Sequence, residues 1–187
     1  MPNDLLSAFT ASQSAEGGGG QTSGLPIKAL FLIEDMTADL DASKTRARHA
    51  VRTVSEERND NPALIEWTQG DALVPGRLHI NSPAFVELVY GVSVEVNAAL
   101  GSLDLTSEAY INHIVDGSFS RVAHEGSDSG LARLGETPDM GYNMTADELV
   151  GPGSEADYFE FFYQADANAG TNAVLSGRPF IGVKVWP

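Results

Sequence analysis

Residues 85–96 read FVELVYGVSVEV, and this stretch decides the fold class. Val92, Val94 and Val96 alternate with Gly91, Ser93 and Glu95. A period of two belongs to a strand with one side turned inward and one side wet. Gly91 within the run predicts a bulge or a bend. Two other segments share this character. Residues 158–163, YFEFFY, are aromatic-dense and strongly β-favouring. Phe159, Phe161 and Tyr163 are expected to fill a core, with Tyr158, Glu160 and Phe162 on the opposite side. Residues 179–186 set an aliphatic face of Ile181, Val183 and Val185 against Phe180, Gly182, Lys184 and Trp186.

Working outward, residues 27–33 suit a buried strand that closes in a turn at Glu34 and Asp35, and residues 35–48 suit a loop or one helical turn. Short strands are expected at 49–54 and 63–68, with turns at 59–62 and 69–76. Residues 106–115 fit a strand better than a helix. The Gly-rich, polar stretch 117–153 suggests extended surface loops carrying short strands or turns, with GSDSG at 126–130 a plain loop. Residues 166–170 suggest a hairpin turn. Seven or eight strands without βα alternation point to an all-β fold, an antiparallel sandwich or single jelly roll. That domain spans residues 25–187. Residues 1–24 form an N-terminal arm with a flexible Gly17–Gly20 linker. In the arm, Leu5, Leu6 and Phe9 lie on one side at helical spacing and are the candidate assembly anchor. The arm has no basic leader region, and no run reaches the ~20 apolar residues of a spanning helix, so neither a signal peptide nor a transmembrane span is expected.

Composition narrows the chemistry. The 187 residues carry 26 acidic against 11 basic side chains, a formal charge of −15, and no cysteine. Disulfides, thiolate metal sites and cysteine nucleophiles are thereby excluded. An acidic surface also repels phosphate backbones, so nucleic acid is not expected as a partner. The four histidines, His49, His79, His113 and His124, form no metal-binding spacing. The pairs Glu56–Glu57 and Asp147–Glu148 suit a solvated surface. No GxSxG elbow occurs. The calcium-loop likeness beginning at Asp166 fails at Gly170 and at Gly177, where ligands are required. Asn143-Met144-Thr145 matches a glycosylation sequon. No catalytic residue, metal site or cofactor is expected, and the chain does not look like an enzyme. Of the basic residues only Lys28, Lys44 and Lys184 are lysines. Acid enrichment with lysine depletion fits very high salt, where the Debye length falls to about 3 Å at 1 M and crowded carboxylates cease to repel.

A Gly-rich arm, a cysteine-free β domain and segments such as FVELVYGVSVEVNAALG and RPFIGVKVWP together resemble the small major capsid proteins of tailless icosahedral haloarchaeal viruses with an internal membrane. The resemblance implies a single vertical jelly roll that packs laterally into capsomers of the virion. It implies two protein partners, the chain itself and a second, larger capsid protein, and an arm that reaches neighbours or the underlying membrane. The competing expectations are a carbohydrate- or calcium-binding sandwich using Trp67 or the aromatics at 158–163, and, more remotely, a small enzyme on a cupin-like scaffold. Salt adaptation has a direct consequence: the melting temperature should rise steeply from dilute buffer to multimolar KCl. A flat melting temperature measured by circular dichroism across that range would refute it.

Overall fold

Alternation in residues 27–33 buries Ala29, Phe31 and Ile33 on one side of a strand, and the same arithmetic repeats through the chain. The computed structural model describes residues 24–34, 47–98, 103–132, 139–150, 157–167, 171–175 and 179–187. Except for Gly24, the arm at 1–24 lies outside these residues, and so do Leu5, Leu6 and Phe9. The described residues form twelve strands and no helix: β1 (Ile27–Ile33), β2 (Ala47–Ala50), β3 (Val54–Asn59), β4 (Ile65–Thr68), β5 (Arg77–Ile80), β6 (Ala84–Ala98), β7 (Leu103–Val115), β8 (Ser118–Ala132), β9 (Asp139–Val150), β10 (Asp157–Ala167), β11 (Thr171–Leu175) and β12 (Phe180–Trp186).

All pairings are antiparallel. One sheet runs β3-β1-β12-β6, with β9 and β11 both pairing to β6; the other runs β4-β5-β10-β7-β8, with β2 pairing to β10. The inner eight, β1-β12-β6-β9 against β5-β10-β7-β8, have the strand order of a jelly roll. Among these eight, the chain changes sheet at every connection except the β7–β8 hairpin. The fold is therefore an antiparallel β-sandwich of jelly-roll type, as the periodicity predicts.

Aromatic side chains bind the sheets face to face. Phe161 of β10 meets Tyr90 of β6 edge-on, with ring centroids 5.4 Å apart, and Trp67 of β4 at 6.1 Å; Trp67 in turn meets Phe31 of β1 at 6.1 Å. Complete burial, with Tyr163 and Tyr110 nearby, pushes the Tyr90 phenol well above its ordinary titration range.

Several local expectations are corrected. Residues 117–153 are not mainly loops: they supply β8 and β9, and the GSDSG stretch pairs with residues 105–108 of β7. The turn Asp116–Gly117, with φ of 49° and 77°, starts this pairing, and the long β7 ladder overrides the weak β preference of Gly, Ser and Asp. The strand expected at 49–54 is broken by a corner: residues 49 and 50 end β2 and residue 54 opens β3. Residues 51–53 lead from β2 in one sheet to β3 in the other, and the carbonyls of Val51, Arg52 and Thr53 accept from Gly76, Gly70 and Glu34 N–H groups. The hairpin expected at 166–170 falls partly on residues 168–170, outside the described residues, and the flanking strands β10 and β11 belong to different sheets. The one-sided burial expected along 85–96 also fails, since Leu88, Val89, Tyr90, Gly91 and Val92 are buried on both faces.

Gly91 makes no bulge. The β6 register runs unbroken through it to both β12 and β9. The glycine leaves room for the Phe180 ring, whose Cε1 would lie 2.3 Å from an added Cβ. Phe180 is fully buried there with Val89, Leu30 and Leu32 in a second cluster on the outer face of the sheet. Gly91→Ala is accordingly expected to lower stability by about 1–3 kcal/mol, and Phe180→Leu to recover part of that loss. Urea unfolding of the single and double variants checks this.

Candidate functional site

The jelly roll brings three ionisable side chains together between its sheets. His113 of β7 and Asp157 of β10 both point inward, and both are buried, at 7% and 5% exposure. His113 Nε2 lies 2.7 Å from Asp157 Oδ1. An ionised carboxylate only accepts, so the imidazole N–H donates. Glu148 of β9 comes from the opposite sheet. Its register partner is Val86, a core residue, so Glu148 shares the inward direction, and its Oε2 stands 3.8 Å from His113 Nδ1. That separation is too long for a hydrogen bond. The imidazole stacks on Phe159, with centroids 4.4 Å apart and planes 19° from parallel. Two strands of one sheet and one of the other are thus joined through a single imidazole.

Strand alternation explains a correction to the surface expectation for Asp147–Glu148. Asp147 faces outward beside Glu87 and is exposed, whereas Glu148 turns in. His113 belongs to the core. His79 lies against the Tyr158 ring at 5.7 Å, and His124 Nε2 is 3.6 Å from Glu108. Both nitrogens of His113 already face carboxylates, and among the described residues no group of three is arranged to hold a metal ion.

The same end of the sandwich carries an apolar rim. Phe85 pairs with Trp186, their rings 5.7 Å apart, and the preceding end of β1 presents Leu25 at 85% exposure. In the facing sheet, Val115 is exposed, as is Phe119, at 72%, just after the Asp116–Gly117 turn. The described ends of the chain, Gly24 and Pro187, also lie here, since β1 starts and β12 finishes at this end.

A second feature lies on the side wall, where β3 of one sheet approaches β4 of the other. Gln69 stitches them, accepting from the Val54 N–H (3.1 Å) and the Trp67 indole N–H (3.1 Å) and donating to the Val54 carbonyl (2.9 Å). Above this stitch is a notch of about 190 Å³, lined by Phe31, Val54, Pro62, Ile65 and Trp67 with Glu56, Glu66 and Gln69. The adjoining 69–76 loop is held by Asp71, whose Oδ1 accepts from the Leu73 and Val74 N–H groups. Those two donors hold its carboxyl below the ordinary range. As expected, the aromatic run at 158–163 is core through Phe159, Phe161 and Tyr163; Phe162 is also buried, stacked on Tyr110 at 5.2 Å.

No protein-family model matches the chain, and no curated protein matches it in sequence. Among solved structures, the Eiger TNF of S. frugiperda aligns with 86% of this chain and 92% of that chain, at 10% identity and a TM-score of 0.44. Among the described residues no helix is long and apolar enough to cross a membrane.

Removing His113 leaves Asp157 buried without its donor. His113→Leu should cost about 3–5 kcal/mol, and the double variant His113→Leu/Asp157→Leu should recover much of it, because no unpaired buried charge remains. Chemical denaturation of the three proteins measures both effects.

Proposed function

We propose that this chain is a structural subunit, a single jelly-roll capsid protein that assembles side by side into capsomers of an icosahedral virion shell at high salt. The observation that carries the reading is the arrangement of the sandwich. A single jelly roll presents long side walls, while the apolar residues Leu25, Phe85, Val115 and Phe119 are exposed at the end where β1 begins. Side walls of this kind suit lateral burial between copies, and the end of the sandwich suits contact with what lies beneath a shell.

Charge is consistent with this role. At −15, the subunits repel one another in dilute buffer, and multimolar salt screens the repulsion so that apolar contacts decide. Many modest interfaces then add up once a closed lattice forms. On this reading the partners are further copies and a larger capsid protein, and the chain performs no reaction. The segment 1–24, through Leu5, Leu6 and Phe9, ties each subunit to its neighbours or to the membrane below.

Sedimentation and electron microscopy in multimolar KCl test the reading. Rings or sheets of capsomer size are expected from the full chain. A chain lacking residues 1–24 should show an unchanged melting temperature but impaired assembly. Stable monomers that bind soluble glycans would overturn the capsid role in favour of a carbohydrate-binding module.

A further inference from the structure

Phe85 and Trp186 are cross-strand partners at the end of the first sheet, with ring centroids 5.7 Å apart. Their neighbours Val86 and Val185 fill the core, so alternation turns both rings to the outer face. Phe85 is exposed and Trp186 half-buried. Leu25 and Pro26 run alongside, because β1 opens with Ile27 opposite Val185. The four residues make an apolar patch on the wall of the sandwich.

A row of balanced charge borders this patch. Lys28, Lys184, Glu87 and Asp147 follow one another across β1, β12, β6 and β9, and Lys184 Nζ stands 2.7 Å from Glu87 Oε1. In a chain of −15, this stretch of wall therefore does not repel an acidic segment. One such segment starts at the patch itself. Upstream of Gly24 the chain carries Leu5, Leu6 and Phe9 at helical spacing, with Asp4 and Glu16 as its acidic residues. Residues 10–23 include Gly17–Gly20 and are otherwise small or polar. A Gly/Ser-rich connection of that length has an r.m.s. span of about 20 Å, enough to return Phe9 to Trp186. Tethered in this way, the segment meets the patch at an effective concentration in roughly the millimolar range. A contact too weak to hold two separate molecules then still forms within one.

We propose that this patch is the docking site of residues 5–9 of the same chain. The unassembled subunit thereby covers its anchor with its own wall, and neighbours in the shell release it. That regulatory meaning rests on the assembly role argued above, whereas the contact itself does not. A second copy offers the same side chains without the tether, and so competes only at concentrations near the effective one.

The chain has no cysteine, so Ser7→Cys in the full chain carries a single nitroxide beside the anchor residues. Its two tryptophans supply separate indole N–H signals by NMR. At a concentration where sedimentation shows a monomer, the nitroxide should erase the Trp186 signal. Trp67, which sits against Phe31 and Phe161, should stay sharp. Leu5→Ser/Leu6→Ser/Phe9→Ser keeps the tether and should restore the Trp186 signal. Equal broadening in the serine variant, or none in either chain, would overturn the proposal. Equal broadening of an isotope-labelled chain by a separate nitroxide-bearing chain would overturn it in favour of a second copy as occupant. A chain that shows the contact yet forms no assembly in multimolar KCl would keep the docking and remove the capsid role.

Discussion

The contact on which the sandwich depends is the seat of Phe161. Its ring meets Tyr90 from the opposite sheet and Trp67 from the neighbouring edge, and Trp67 leads on to Phe31. Four strands from both sheets converge there. Aromatic side chains combine large buried area with a fixed geometry, so this seam sets both the distance and the rotation between the sheets. The Gln69 stitch and the notch above it exist because Trp67 is pinned at the end of the same row.

At the other corner the sheets meet by a different rule. His113, Asp157 and Glu148 place polar groups where apolar packing would ordinarily lie. A buried polar cluster contributes little net stability, because desolvation offsets most of the attraction, but it penalises any arrangement that leaves one member unpaired. It therefore specifies how β9 sits against β7 and β10. The apolar seam and the polar corner divide the work: one drives the sheets together, the other rejects wrong registers.

Much of the fold was legible in the sequence. Residues 85–96 and 179–186 declare their strands through alternation, 27–33 through large apolar residues and 158–163 through aromatic density, and these are central strands of the two sheets. Residues 117–153 read as loop because β8 and β9 are rich in Gly, Ser, Asp and Glu and hold few strong β formers, although Asp116-Gly117 is a hairpin signal. Gly91 departs from expectation for another reason. A glycine that kinks a strand and a glycine that admits a ring from an adjacent strand look alike in sequence, and only Phe180 on β12 distinguishes them. The candidate sites were less legible still. His113 lies far along the chain from Glu148 and Asp157, the two sides of the notch come from consecutive strands that enter different sheets, and neither set follows a motif.

What the sequence determined by itself is the class of structure: an acidic, cysteine-free β-sandwich with identifiable core strands. Side-chain period and composition are local properties, and they survive without knowledge of any partner strand. What only the tertiary structure decided is where the polar groups go. Glu148 turns inward while Asp147 faces water, and Glu56 and Glu66 line one notch from two different sheets. Strand register makes both choices, since a shift of one residue exchanges the two faces of a strand, and register is set by long-range pairing that no local stretch of chain contains.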